Sequence, residues 1–78
     1  MVDLQKVLAD IAKAIVDKPE CVEVLKDETD STVTLTLNVD EDDKGIVIGR
    51  QGKNAKAIRT VIKAAAAGTG KKVNVDIR

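Results

Sequence analysis

The sequence predicts a small α+β domain in which three strands form one sheet and the helices pack against one of its faces. Two observations indicate this fold class. Apolar residues recur at helical spacing near the start of the chain and again after residue 53, whereas other segments alternate apolar and polar residues as half-buried strands do. The predicted order of elements is α-β-β-α-α-β. With 78 residues, 44% of them hydrophobic, the chain suits one domain, residues 1–78, and is too short for two ordinary cores.

The first element is predicted to be an amphipathic helix that begins after Asp3. The carboxylate of Asp3 is a typical N-cap, because it can accept a hydrogen bond from a free amide of the first turn. Pro19 is expected to stop the helix, since the residue before a proline, here Lys18, is driven toward extended geometry. The apolar face consists of Leu4, Val7, Leu8, Ile11 and Ile15.

Two strands joined by a hairpin are predicted next. The first runs from about Cys21 to Lys26, and the turn-forming residues 27–31 close the hairpin. The second strand, from Thr32 to Val39, alternates strictly between apolar and polar residues. Its core-facing residues are predicted to be Val33, Leu35, Leu37 and Val39.

A short helix is predicted after the second strand. The acids of residues 40–43 provide an N-cap and first-turn carboxylates, which favour the positive end of a helix dipole. The helix continues into residues 46–48 and is expected to break at Gly49, and Gly52 permits a second unusual backbone conformation.

A longer helix and a final strand complete the predicted fold. The helix runs from about Lys53 to Ala67, with Gly68 as its C-terminal stop, and the strand runs from Lys72 to Arg78. The apolar faces are Ile58, Val61, Ile62 and Ala65 in the helix and Val73, Val75 and Ile77 in the strand. At about 100° per residue, a different face of the helix gathers Lys56, Arg59 and Lys63.

The composition excludes several classes of function. The chain has no Phe, Tyr or Trp, so bases cannot stack on aromatic side chains as they do on many single-strand binders. It also has no His, which excludes a catalytic triad, a Cys-His pair and a His ligand for zinc or non-haem iron. Any contact with nucleic acid is therefore expected to use aliphatic side chains and the backbone.

The compartment is expected to be the cytoplasm. Cys21 is the only cysteine, so no intrachain disulfide can form, and we expect it to be an ordinary packing residue near the start of a strand. Residues 1–6 contain an early acid and no apolar run of signal-peptide length. The longest small or apolar run, residues 64–67, is too short to cross a bilayer, and no membrane partner is expected.

The net charge of zero conceals two oppositely charged halves. Residues 1–43 contain 4 Lys/Arg and 12 Asp/Glu, which gives −8, and residues 44–78 contain 9 Lys/Arg and 1 Asp/Glu, which gives +8. A solvated dipolar surface or a self-complementary dimer would explain this separation. Because the positive half begins at a glycine-rich loop, an anionic ligand is the competing explanation.

The distinctive motif is the segment of residues 44–53, in which an aliphatic helix end meets a two-glycine loop and a basic helix start. Gly49 and Gly52 let the backbone approach a sugar-phosphate chain closely, and amides at a helix N-terminus point at anions. Arg50 and Lys53 add positive charge at the same place. A pair of glycines three residues apart also marks a plain tight turn between helices, so the flanking helices, the preceding isoleucines and the basic residues that follow are what favour phosphate binding.

Other motifs fail on inspection. A P-loop ending at Gly52 and Lys53 would need glycine in place of Val47 and Ser or Thr in place of Asn54. An EF-hand beginning at Asp40 would have Lys44 at its fifth position and Gln51 where the bidentate glutamate belongs. The acids fall at turns, caps and solvated faces, and no pair of them suggests acid–base catalysis. We therefore expect no enzyme, no catalytic residue, no cofactor and no metal site.

Residues 46–52 followed by the helix from Lys53 resemble the signature of the KH family, and the resemblance covers essentially the whole chain in the type II order. It implies a single type II KH domain whose loop clamps the backbone of about four nucleotides while the bases lie on an apolar groove. The residues that it implies for RNA binding are Gly49, Arg50, Gln51, Gly52, Lys53, Lys56, Lys44, Ile46 and Ile48. Ile58 also matches a groove position, but its place on the apolar helix face favours the core.

The leading hypothesis is a protein that binds single-stranded RNA with modest sequence specificity. The resemblance implies a bacterial post-transcriptional regulator or RNA chaperone that forms a homodimer and pairs with a second, larger KH-containing RNA-binding protein. The alternative is a protein-interaction or dimerisation module in which nucleic-acid binding is secondary. Single-stranded DNA is a third candidate ligand, because a loop that contacts the backbone does not by itself read the 2′-hydroxyl.

Overall fold

A computed structural model describes residues 3–78, and its elements follow the predicted order α-β-β-α-α-β. Met1 and Val2, with which the predicted domain begins, lie outside the described residues. The helices are α1 (Leu4–Ile15), α2 (Lys44–Ile48) and α3 (Lys53–Ala65), and the strands are β1 (Glu23–Glu28), β2 (Thr32–Asn38) and β3 (Lys72–Ile77). Short 3₁₀ turns are formed by Pro19–Cys21, Glu41–Asp43, Arg50–Gly52 and Ala67–Thr69.

The three strands form one sheet in the order β1-β2-β3, with β2 in the centre. Strand β1 runs antiparallel to β2 through the predicted hairpin, and β3 runs parallel to β2. The alternating apolar residues of β2 and β3, together with Val24 of β1, share one face, which the helices cover, as predicted. Because β3 lies at an edge of the sheet, one side of its backbone stays free of strand partners among residues 3–78.

The core lies between that face of the sheet and the helices. Leu8 of α1, Leu35 and Leu37 of β2, Val47 of α2 and Ile62 of α3 are fully buried at its centre. All of these are aliphatic, so the core depends on close packing of branched side chains. Among the described residues, no helix combines the length and the apolar composition that crossing a membrane requires.

Helix α1 begins as predicted but ends earlier than predicted. The Asp3 carboxylate accepts a hydrogen bond from the backbone N–H of Lys6 (3.2 Å), which confirms the N-cap. The helix ends at Ile15, because Val16 is already extended at φ −96° and ψ 157°. Pro19 therefore does not stop the helix, and it opens a separate 3₁₀ turn instead.

Three side chains lie outside the core that the sequence predicted for them. Ile15, the last residue of α1, is 37% exposed. Cys21 is exposed in the 3₁₀ turn, because that turn delays the start of β1 to Glu23. Val61 is 48% exposed on α3. The buried face of α3 is narrow, and Val61 is rotated by about 100° from its buried neighbour Ile62, so the two residues cannot face the same side.

Candidate nucleic-acid interface

The loop between α2 and α3 begins at Gly49, whose backbone only glycine adopts readily. Its φ of 75° and ψ of 172° fall in a region that is essentially closed to other residues. A Cβ atom at this position would lie 2.7 Å from the Asn54 side chain and 2.8 Å from the Asn54 backbone nitrogen. Glycine is therefore required here for both conformation and space.

The second half of the loop is a tight left-handed turn. Gln51 (φ 58°) and Gly52 (φ 76°) both have positive φ, and the Gly52 N–H donates to the Gly49 carbonyl oxygen (3.2 Å). A Cβ atom on Gly52 would meet nothing within 4 Å, so glycine serves there for its conformation alone. The side chains of Arg50 and Gln51 are exposed.

Asn54 stabilises the conformation of this loop. The sequence analysis did not identify it as a site residue. Its Nδ2 donates a hydrogen bond to the backbone oxygen of Ile46 (2.7 Å), one of the carbonyls at the end of α2 that lack a helical partner. The first turn of α3 is thereby tied to the last turn of α2 across Gly49. The sequence feature that could have predicted this role is the position of Asn54, two residues after Gly52. Short amide side chains often form hydrogen bonds with nearby backbone groups.

The aliphatic segment before the loop is divided between core and surface. Ile46 and Ile48 are 40% and 42% exposed, whereas Val47 between them is fully buried. Ile58, the other groove candidate, is only 4% exposed and belongs to the core. The apolar surface beside the loop thus consists of Ile46 and Ile48, and their contact with RNA stays a prediction.

The predicted cations surround the loop and are available to a ligand. Arg50, Lys53 and Lys56 are exposed, and Lys44 at the start of α2 is half-buried. Within the part of the chain that the structure describes, none of these four forms a salt bridge. Their charge is therefore not neutralised by neighbouring acids.

Two of the acids that precede α2, Asp40 and Asp42, take part in a cap and in ion pairs with Lys18. The Asp40 carboxylate accepts the N–H of Asp42 (3.0 Å), which holds the pKa of Asp40 below its ordinary value, and this confirms its capping role. Lys18 bonds to the carboxylates of Asp42 (3.2 Å) and Asp40 (3.4 Å), which raise the pKa of its ammonium group.

Asp43 has a structural role that the sequence did not predict. It is 1% exposed, and its carboxylate accepts hydrogen bonds from the N–H groups of Asp17 (3.2 Å) and Lys18 (3.1 Å). The expectation that all the acids lie at caps and solvated faces is therefore wrong for Asp43.

Arg59 connects α3 to the free edge of the sheet. Its Nε donates to the carbonyl oxygen of Val75 (3.3 Å) in β3, and the side chain remains exposed. Because Arg59 and Lys56 are three residues apart, they lie on the same side of α3, and the positive surface continues from the loop along that side of the helix. The sequence grouped Arg59 with a basic helix face, but its bond to β3 depends on tertiary contact.

Comparison with known families gives a match over nearly the whole chain. The family model described as "KhpA/KhpB, KH domain" matches residues 5–77. Curated relatives are named RNA-binding protein KhpA: that of Clostridium perfringens is 54% identical over 67 residues (86% of this chain, 89% of the relative). The Bacillus subtilis protein is 42% identical over 74 residues (95% and 91%) and the Listeria monocytogenes protein is 40% identical over 74 residues (95% and 97%).

Solved structures agree on the fold. A crystal structure of Era in complex with MgGDPNP and nucleotides 1506–1542 of 16S ribosomal RNA superposes with a TM-score of 0.70 at 19% identity. The match covers 95% of this chain and 28% of the Era chain. A structure of Era from Aquifex aeolicus gives a TM-score of 0.61, also at 19% identity.

Proposed function

Since this chain belongs to the KhpA/KhpB KH-domain family, we propose that it is a non-enzymatic protein that binds single-stranded RNA through the loop of residues 49–52. The observation that carries the proposal is the loop itself: a glycine-only conformation at Gly49 is fixed by Asn54 and bordered by cations that no acid neutralises. Such a loop presents backbone and charge to a phosphate chain without side chains in the way.

The chemistry of binding follows from three parts of this surface. The N-terminus of α3 is the positive end of its helix dipole and so favours a phosphate nearby, although the Lys53 N–H itself already donates to the Arg50 carbonyl oxygen. Arg50, Lys53, Lys56 and Lys44 supply charge that is sequence-independent. Ile46 and Ile48 offer an aliphatic surface to the bases, which is consistent with a chain that has no aromatic residue.

The biological role we propose is that of a bacterial post-transcriptional regulator or RNA chaperone with modest sequence specificity. The relatives' name, RNA-binding protein KhpA, supports RNA as the ligand. A loop that binds the backbone of about four nucleotides brings few bases into contact with the protein. This favours modest sequence specificity. A single cysteine, exposed and without a disulfide partner, suits the reducing cytoplasm.

The proposal is tested by replacing Arg50 and Gln51 together with aspartate. Both side chains are exposed, and aspartate tolerates the positive φ of Gln51 better than most residues, so the fold should be retained. Two acids at the loop repel phosphates, so RNA binding in a fluorescence anisotropy titration is expected to be lost. Parallel titrations with single-stranded DNA and duplex RNA identify the preferred nucleic acid.

A matched control is Ile62→Asp, which places a charge in the core and should unfold the domain. If the Arg50→Asp/Gln51→Asp variant is folded by circular dichroism and binds RNA as tightly as the wild type, the loop is only a turn. Protein interaction would then become the leading function.

A second candidate function, pairing with another KH domain, is favoured by Val61. This valine is exposed on α3 between Ala57 and Ala64, which are also exposed and lie on the same side of the helix. We propose that this apolar strip is where the protein forms a homodimer or pairs with a second, larger KH-containing RNA-binding protein. The family model describes both KhpA and KhpB, which supports pairing between related KH domains. Pairing at Val61 leaves the loop free, so both functions are compatible.

A further inference from the structure

Strand β1 forms the edge of the sheet opposite to β3, and among residues 3–78 no strand pairs with its outer side. In an antiparallel pair, residues that lie directly opposite alternate between pairs that exchange backbone hydrogen bonds and pairs that do not. Val24 lies opposite Leu37, yet its carbonyl oxygen accepts a hydrogen bond from the Gln5 side chain (2.6 Å). The Leu37 carbonyl oxygen accepts the N–H of Arg78 on the other side of β2 (2.8 Å). The backbone groups of Val24 therefore point outward from the β1 edge.

The same alternation directs two further residues of β1 outward. Lys26 and Glu28 follow Val24 by two and four residues in the same antiparallel register, so their N–H and carbonyl groups also point away from β2. The Gln5 side chain covers the Val24 carbonyl, but within residues 3–78 no side chain bonds to the backbone of Lys26 or Glu28. This part of the β1 edge can therefore pair with an additional strand.

A surface pocket of about 540 Å³ borders the same part of the β1 edge. Its lining includes Lys26 and Glu28 of the strand and the buried residues Leu4 and Val33. Side chains that lie directly opposite on neighbouring strands share one face of the sheet. A strand added beside Lys26 would therefore direct alternate side chains toward the pocket, where the apolar lining suits an aliphatic residue.

The other face of β1 is not covered by helices and carries acids. Leu25 is 51% exposed there, between the exposed residues Glu23 and Asp27. In the part of the chain that the structure describes, neither of these acids forms a salt bridge. Because opposite charges and apolar pairs stabilise neighbouring strands, an added strand is favoured when basic side chains face the acids and an apolar side chain faces Leu25.

A second copy of the chain fits the β1 edge poorly. Outward-pointing residues must pair with outward-pointing residues, so the two longest antiparallel registers of β1 with itself are centred on Leu25 or on Lys26. The first register places Glu23 opposite Asp27, and the second places Lys26 opposite its own copy. Like charges directly opposite each other are destabilising. The charges of the β1 edge therefore favour a partner with a basic sequence.

We infer that the β1 edge docks an extended, basic segment of a partner protein, which adds to the sheet as a fourth strand. Its aliphatic side chains enter the pocket beside Lys26, and its basic side chains face Glu23 and Asp27. RNA does not suit this edge, because the two acids repel phosphates. The inference does not rest on the proposed function, since β1 packs mainly against α1 and β2 and does not form part of the loop of residues 49–52.

The probe for this edge is the labelled hexapeptide Val-Arg-Val-Leu-Thr-Lys, titrated by fluorescence anisotropy. In the antiparallel register its first valine lies opposite Glu28, its arginine opposite Asp27 and its lysine opposite Glu23. Its second valine lies opposite Lys26 and exchanges two backbone hydrogen bonds with it. The same peptide with an N-methyl group on that valine lacks one donor and is expected to bind at least about tenfold more weakly.

The matching protein variant is Lys26→Pro, which removes the outward N–H. Proline is tolerated on edge strands where the N–H faces solvent, so the domain should stay folded by circular dichroism. Peptide affinity is expected to fall at least about tenfold, whereas Lys26→Ala keeps the N–H and should stay within about threefold of the wild type. RNA affinity should stay within about twofold in both variants. If Lys26→Pro does not fold, the N-methyl peptide tests the same hydrogen bonds on the wild-type protein.

The charge requirement is tested by Asp27→Lys, which should lower peptide affinity by about threefold to tenfold. Asp10→Lys makes the same charge change on the exposed side of α1 and should have little effect. Equal losses in these two variants would show that only the general field of the protein attracts the peptide, and would overturn docking at the β1 edge.

Two other results would also overturn the inference. The first is equal affinity for the N-methyl peptide and the parent peptide, or a wild type that does not bind the parent peptide at about 1 mM. The second is self-association of the wild type that Lys26→Pro abolishes while the peptide stays unbound, because the occupant of the β1 edge would then be a second copy of the chain.

Discussion

At the scale of single residues, the loop owes its shape to a pair of positions that the sequence separates by five. Gly49 lacks the side chain that would collide with Asn54, and Asn54 uses the space so gained to bond to Ile46 of α2. The loop is thus held in place before any ligand arrives. Preorganisation of this kind lowers the entropic cost of binding, since the loop need not be ordered by the RNA.

The two loop glycines are predicted to differ in their sensitivity to alanine. Gly52→Ala should cost about 1–2 kcal/mol, because the new side chain meets open space and only the left-handed backbone is strained. Gly49→Ala should cost more, since its Cβ would displace the backbone of Asn54 as well. Urea denaturation of both variants measures the difference in the free energy of unfolding, and equal costs would contradict the proposed packing of Asn54.

At the scale of elements, Asp43 holds the segment between α1 and β1 against the start of α2 through two hydrogen bonds. The hydrogen bonds from Asp17 and Lys18 span 26 and 25 residues of sequence, and the carboxylate that accepts them is buried. This contact explains how α1 can end at Ile15 without help from Pro19. It also sets the position of α2, and hence of the loop, relative to α1.

Removal of this carboxylate is predicted to destabilise the whole domain. Asp43→Ala should lower the free energy of unfolding by about 1–3 kcal/mol, because the two backbone N–H groups lose their acceptor. Asp42→Ala is the matched control: its carboxylate is exposed and bonds only to Lys18, so the change should stay below about 0.5 kcal/mol. Thermal denaturation followed by circular dichroism compares the stability of the two variants. If Asp43→Ala destabilises the domain as little as Asp42→Ala does, the buried carboxylate does not contribute to stability as predicted.

At the scale of the whole molecule, one helix carries two different exposed surfaces. Lys56, Arg59 and Lys63 lie on one side of α3, whereas the exposed strip of Ala57, Val61 and Ala64 lies on another side. A domain of this size buries only about 60% of the surface of its unfolded chain, so a partner subunit would add a useful share of buried surface. In the functions that we propose, one helix thus serves two kinds of partner.

Self-association is predicted to depend on Val61. The wild-type protein should form dimers at about tens of micromolar, where even a weak complex is visible by light scattering. Val61→Asp should give a folded monomer that still binds RNA, since the charge is added to a solvent-exposed position distant from the loop. A wild type that is strictly monomeric would contradict the homodimer, and a Val61→Asp variant that still forms dimers would place the interface elsewhere.

Several features could be predicted from the amino-acid sequence alone: the order of the elements, the alternation of β2 and β3, the break at Gly49 and the exposure of Arg50 and Gln51. These features depend on residues that are close in the chain, because strand alternation, helix periodicity and glycine conformations are local properties. The KH resemblance rests on the same local pattern, and the family match over residues 5–77 confirms it.

The burial of individual candidate residues depends on how the helices and the sheet pack against one another, and the sequence did not predict it fully. Ile58 and Val61 lie on one predicted apolar face, but the helix buries the first and exposes the second, because α1 and the sheet cover only a narrow arc of α3. The hydrogen bonds from Lys18 to Asp43 and from Arg59 to Val75 join segments that are 25 and 16 residues apart. No local pattern encodes such contacts, because they exist only once the elements have packed against one another.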